Sequence, residues 1–240
     1  YSVYDYEAMG VPRYHVNALL QVGDENGPLP GELGYAVEAP NATVQIRGQT
    51  SSRNDQKNYK IKLKKNKGSW RGQRTIALNK HMSEGLRFRN KMAYDLIKGI
   101  DQMMGLRTQF VHLYVKDLTD SSSGVFEDYG LYTQVEQLNK TALKVHGLDS
   151  TGQLYKINSF EFHRNEDIIR LTTDPAYDQT AFERLMEIKG NSDHSKLIEM
   201  LDILNDESSS MDEEVFARYF DPENIAYWMA FQLLTGNTDT

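Results

Sequence analysis

The chain has 240 residues, 39% hydrophobic and 25% charged, with no cysteine. That composition is ordinary for a globular protein and excludes disulfides, thiolate metal sites and cysteine nucleophiles; no apolar run approaches the ~18 residues that a bilayer span requires. The formal charge of −7 is unevenly spread, because residues 47–91 hold 14 of the 27 basic residues and only two of the 34 acidic ones, a basic lobe on an acidic body.

Period-two alternation predicts strands over 14–22, 42–47, 57–63, 74–78, 109–116 and 125–135. Turn signals separate them at Asn26-Gly27-Pro28, Asn66-Lys67-Gly68 and Asp120-Ser121-Ser122-Ser123-Gly124. One long helix is expected over 86–104, with Leu86, Ala93, Ile97, Ile100 and Met104 on its stripe and Gly105 as its stop. From about 137 onward helices take over, at 139–145, 179–188, 194–204 and 211–220, with a short strand pair around 154–157 and 168–171. The last helix has Asp221 as its cap, Pro222 at its first position and Gly236 after its end. It has almost no polar face, so it is expected at the centre of the second half. The predicted class is α+β, with a mostly antiparallel β lobe over 1–136 and a mostly helical lobe over 137–240; a sheet interrupted by one helix is a layout that small nucleotide-binding lobes share. The start at Tyr1 suggests a processed or excised segment.

The segment from Arg47 to Leu63 contains the most chemistry. Gly48, Gln49, Thr50, Ser51, Ser52 and Arg53 make a small, hydroxyl-rich basic loop between two alternating segments. In 57–63 the alternation places Lys60 and Lys62 with Asn58 on the wet face, and Lys57 with Tyr59, Ile61 and Leu63 on the apolar one. A lysine on an apolar face beside such a loop calls for an anionic partner. Backbone amides, small hydroxyls, a lysine and an arginine fork together suit phosphate. A simple hairpin turn with solvated lysines is the other reading of the same residues.

Arg47-Gly48, then Lys57-x-Tyr59-x-Ile61, then Arg89-Asn90-Lys91, then Gly130-x-Tyr132-x-x-x-Glu136, and finally Asn237-x-Asp239 come in that order. This pattern resembles the CotH kinase family, which includes spore coat protein H. The resemblance implies a two-lobed fold like that of protein kinases, ATP and magnesium as cofactors, a protein substrate phosphorylated on Ser or Thr hydroxyls, and a location outside the cell or on the spore surface. It implies that Lys57, with Arg47 and the Gly48, Thr50, Ser51, Ser52 and Arg53 loop, meets the triphosphate. Asp95 on the long helix is the implied acid partner of that lysine, an ordinary pair with Lys91 being the alternative. Gln134 and Glu136 on the connecting strand would reach the base or ribose, an edge strand facing water being the alternative. Asp239 would be the aspartate that orients the attacking hydroxyl, although a fraying helix end reads equally from Gly236 onward. The family pattern continues with an asparagine five positions later and then a second aspartate as metal ligands, both beyond Thr240. The expectation is therefore of a fragment that transfers no phosphate by itself.

The six histidines show no metal spacing, and neither a serine-hydrolase elbow nor a dinucleotide glycine fingerprint is present. Aromatic residues are not interleaved with the basic ones, and the net charge repels polyanions, which argues against nucleic acid. A non-catalytic surface adhesin on the same scaffold is the alternative function.

Overall fold

The computed structural model describes residues 1–118, 124–158, 160–208 and 212–237. The chain divides into two compact units: Tyr1–Gly99 with Gly105–Gln137, and Ile100–Met104 with Leu138–Thr240. The architecture is mixed α+β, with one six-stranded antiparallel sheet and several helices.

The first unit opens on α1 (Val3–Ala8), closed by a capping box in which the Ser2 hydroxyl accepts from the Asp5 amide and the Asp5 carboxylate from the Ser2 amide. The strands β1 (Val16–Ala18), β2 (Gly23–Asp24) and β3 (Gly27–Pro28) follow, the last two forming a minimal hairpin at Asn26-Gly27. The predicted strand over 14–22 is thus cut short. Beyond Ala18 the Asn41 side chain takes the place of a neighbouring strand, accepting from the Leu20 amide at 2.7 Å and donating to the Leu20 carbonyl at 2.8 Å.

β4 (Ala42–Arg47) pairs with β5 (Asn58–Leu63), which pairs with β6 (Thr75–Asn79). Helix α2 (Arg89–Ile97) precedes β7 (Thr108–Val115) and β8 (Glu127–Glu136), and the sheet order is β1-β4-β5-β6-β8-β7. The buried core is Ala42, Ile61, Leu63, Ile76, Leu78 and Tyr132, with Tyr59 and Trp70 packed against it. Lys62 is exposed between the buried Ile61 and Leu63, as alternation requires.

Helix α2 is half the length expected over 86–104. Arg87 has a left-handed backbone (φ 58), which blocks an earlier start, and the Glu84 carboxylate accepts the Phe88 and Arg89 amides at 3.1–3.2 Å. Leu86 is therefore 66% exposed, and none of the residues in α2 is fully buried. Ile100 and Met104 lie beyond its end, so the expected stripe does not form. The predicted turn at 120–124 lies almost wholly outside the described residues.

In the second unit, α3 (Lys140–Val145) is capped by Asn139. β9 (Tyr155–Ile157) pairs with β10 (Met186–Ile188), which follows α4 (Gln179–Leu185) directly. Two expectations fail together here: the helix over 179–188 ends three residues early, and those three residues replace 168–171 as the partner of β9. Ile169 is instead buried in a turn. Helices α5 (Ser195–Leu204), α6 (Glu213–Tyr219) and α7 (Pro222–Thr235) complete the unit. Ile169, Phe182, Met186, Leu197 and Leu201 form its core.

The caps of α7 are those read from the sequence: the Asp221 carboxylate accepts from the Asn224 amide at 3.0 Å, and Gly236 adopts φ 61. Its burial is not. No residue of α7 is buried, Trp228 is 43% exposed and Leu234 is 87% exposed. An all-round apolar surface favours burial only where a second surface is available, and within this unit α7 is at most half-buried, at Ile225, Phe231 and Gln232.

Candidate functional site

The loop between β4 and β5 is tightly built. Gly48 takes φ 93, a backbone conformation that favours glycine, and a Cβ there would lie 2.1 Å from the Ser51 Oγ and force that hydroxyl to rotate. Thr50–Arg53 forms a single 3₁₀ turn. Ser52 is fully buried; its hydroxyl donates to the Gln49 carbonyl at 2.6 Å and accepts from the Val3 amide at 3.0 Å. Arg53 lies over the Tyr4 ring at 4.0 Å, and Thr50 is exposed. Asn58, paired with Arg47 across the strands, ties the loop down by donating to the Ser51 Oγ at 3.0 Å and accepting from the Lys80 amide at 2.7 Å.

Lys57 is half-buried at the mouth of this loop, and its ammonium donates to the Ser52 carbonyl at 3.0 Å. Its hydrogen-bond partner is therefore a backbone dipole, with the Asp5 carboxylate near enough to feel its charge. The Arg47 guanidinium donates to the Asn79 Oδ1 at 2.7 Å. Burial pushes Arg47 below its ordinary pKa, while Tyr94 of α2 acts in the other direction. Tyr94 is itself pushed up by burial.

Sequence reasoning misses the residues that follow β6, and they complete the site. Lys80 is 2% exposed; its ammonium donates to the Tyr129 carbonyl and lies 4.5 Å from the centre of the Tyr132 ring. The Tyr132 hydroxyl in turn donates to the Lys57 carbonyl at 3.2 Å, so one tyrosine touches both lysines. Burial and Arg87 lower the Lys80 pKa, and Asp128 opposes them. His81 follows with a left-handed backbone, φ 53, and its Nε2 is buried with no hydrogen-bond partner. The Asn90 Oδ1 on α2 is likewise buried and unpartnered. A signal for Lys80 does exist in the sequence, since alternation carried past Leu78 puts Ile76, Leu78 and Lys80 on one face.

Other expected site residues are occupied elsewhere. Asp95 accepts from Lys91 at 2.5 Å and Lys98 at 2.8 Å, which brings its pKa down to about 2; it makes no pair with Lys57, because helical spacing puts nearer cations on its own turn. Gln134 is buried, donating to Gln73 at 3.2 Å and accepting from Gln109 at 3.1 Å. Glu136 is also buried and holds Arg107 through the guanidinium at 2.5 and 2.8 Å and through the backbone amide at 3.0 Å. Both side chains are bound within the sheet and its flanks. Asp239 lies outside the described residues. Among the described residues no group of three acidic or histidine side chains is placed to hold a metal ion.

The neighbourhood that emerges is electropositive: Arg87 acts on Lys80, and Arg47 and Arg87 both act on His81. Two polar atoms there are unsatisfied, and among the described residues no carboxylate forms a direct ion pair with these three cations. That is the chemistry of an anion site.

No curated protein matches this chain. A family model described as CotH kinase protein matches residues 44–240, most of the sequence and every residue of the electropositive site. The chain belongs to the CotH kinase family.

Proposed function

We propose that the first unit binds the triphosphate of ATP between the Gly48–Arg53 turn and the end of β6, and that the protein transfers the terminal phosphate to Ser or Thr hydroxyls of a protein substrate. The observation that carries this reading is the convergence of Arg47, Lys57, Lys80 and Arg87 on a loop whose glycine and hydroxyls permit close approach by phosphate oxygens. Family membership supports the kinase chemistry. The order of elements supports a kinase-like first lobe: a loop joins two strands, a third strand ends in a lysine, and a helix follows. In protein kinases the phosphate lysine stands on the strand before that helix, which favours Lys80 over Lys57 as its counterpart. Lys57 then serves at the loop, where exchanging the Ser52 carbonyl for a phosphate oxygen needs only side-chain rotation.

In this reading Arg47 supplies a planar fork already oriented by Asn79, and Lys80 supplies a desolvated point charge. Asp239 is assigned the substrate hydroxyl. Magnesium, when bound, would offset charge on the transferring phosphate, and the described residues offer it no ligand set.

Calorimetric titration with ATP tests the site. Arg47→Ala and Lys80→Met should each weaken binding by about tenfold or more, and Lys57→Ala by less, because each substitution removes one charge-assisted hydrogen bond to phosphate. Unchanged affinity in all three would refute the assignment. Transfer of labelled phosphate to a protein acceptor by a longer polypeptide that carries the expected asparagine and second aspartate, abolished there by Asp239→Asn, would establish the reaction.

A further inference from the structure

His81 has no part among the phosphate-binding cations, yet its setting is unusual. It and Arg87 are both left-handed non-glycine residues in the short connection from β6 to α2. Such backbone costs about 1 kcal/mol or more per residue and persists where the surrounding structure demands it. Within this connection His81 lies close enough to Arg47 and Arg87 for both to act on it. His81 is half-buried, its Nε2 has no partner, and the same is true of the Asn90 Oδ1. A buried polar atom left unpaired costs about 1–3 kcal/mol, so the unpaired Nε2 in an arginine-flanked connection marks a place that a ligand would complete. Arg87 is held only loosely among the described residues, by the Gln56 Oε1 at 3.4 Å and the Met82 sulfur at 3.6 Å.

We propose that His81 is a ligand-contacting residue of this pocket, its Nε2 donating to a phosphate oxygen of the bound nucleotide, and that its protonation makes nucleotide affinity rise as pH falls. The inference rests on the reading of the pocket as a phosphate site. The charged groups that act on His81 are Arg47 from β4 and Glu84 and Arg87 from its own connection; Tyr94 on α2 acts on Arg47. In the free protein, burial is the largest influence and favours the neutral ring; Arg47 and Arg87 add to it and Glu84 opposes. A phosphate dianion reverses this balance, so binding takes up a proton at His81. That proton uptake makes affinity increase on the acid side of the ordinary histidine range.

The test is titration of the 240-residue chain with ATP and with inorganic pyrophosphate at about pH 5.5 and about pH 8, values either side of the histidine range. The parent, His81→Asn and Arg47→Ala are compared. Asparagine tolerates left-handed backbone and cannot titrate. The ratio of acid to alkaline affinity should be about tenfold larger in the parent than in His81→Asn, one pKa unit of linkage. Titration of the phosphates themselves cancels in that comparison. Equal ratios, with Arg47→Ala still weakening binding by about tenfold or more, would overturn the role of His81 and leave the phosphate site standing. No binding by the parent, or full binding by Arg47→Ala, would overturn both.

Discussion

His81 and His194 are both left-handed, at φ 53 and φ 63, and both are held toward the neutral form mainly by burial, yet their polar atoms are treated in opposite ways. His194 in the second unit is fully buried; its Nδ1 meets the Tyr155 hydroxyl at 2.7 Å, its Nε2 meets the Tyr177 hydroxyl at 3.0 Å, and its ring stacks on Phe182 at 4.0 Å. His81 in the first unit has a buried nitrogen with no partner. A satisfied buried histidine is scaffold, since every bond it makes is internal. An unsatisfied one beside arginines has a bonding capacity that nothing internal uses, which is what the proposed phosphate contact would draw on.

Substitution should expose this contrast. His194→Ala removes a stacked ring and leaves two tyrosine hydroxyls unpaired, so it should destabilise the second unit by about 3 kcal/mol or more, read by urea unfolding. His194 also makes stability depend on pH. Its folded pKa lies below the ordinary 6.5, so the unfolded chain binds the extra proton first and stability falls as pH drops below about 6.5. A flat profile from neutral pH to the folded pKa would break the scaffold assignment.

Lys80→Met should lower ATP affinity by about 1.4 kcal/mol while changing thermal stability by less than about 1 kcal/mol, because methionine fills the space over Tyr132 without a buried charge. Gly48→Ala, at φ 93, should cost about 1 kcal/mol or more of stability and weaken ATP binding with it. His81→Asn should move the unfolding midpoint in urea by an amount equivalent to less than about 0.5 kcal/mol, since no internal bond to Nε2 is removed. A large loss there would mean that His81 too is scaffold. Asp95→Asn should matter least, at most about 0.5 kcal/mol, because its ion pairs are exposed. Its folded pKa of about 2 lies below the ordinary 3.8, so whatever it contributes is present above pH 3.8 and disappears as pH falls toward 2.

The strands around the loop are legible in the sequence because alternation and burial agree there: β4 has the predicted bounds, and β5 starts one residue later than expected. Asp221, Pro222 and Gly236 announce α7 through local capping chemistry, which needs no tertiary information. Pairing and burial are harder to read. Whether Met186–Ile188 ends a helix or faces β9 depends on a partner some 30 residues away in sequence, and whether α7 is covered depends on which surfaces exist to cover it. The lysine proposed to meet the phosphates is half legible. Alternation identifies Lys57, but the predicted strand stops at Leu78, two residues short of the buried lysine that the same argument reaches when extended.

The two tryptophans lie in different units. Trp70 packs against the sheet core of the first, and Trp228 stands 43% exposed on α7 of the second. Each unit thus contains its own fluorophore. Trp228→Phe leaves emission that follows the sheet alone, and Trp70→Phe leaves emission from the wetter indole of the helix, expected at longer wavelength. With that pair of variants, a nucleotide-induced change can be assigned to one unit or the other by its optical signal.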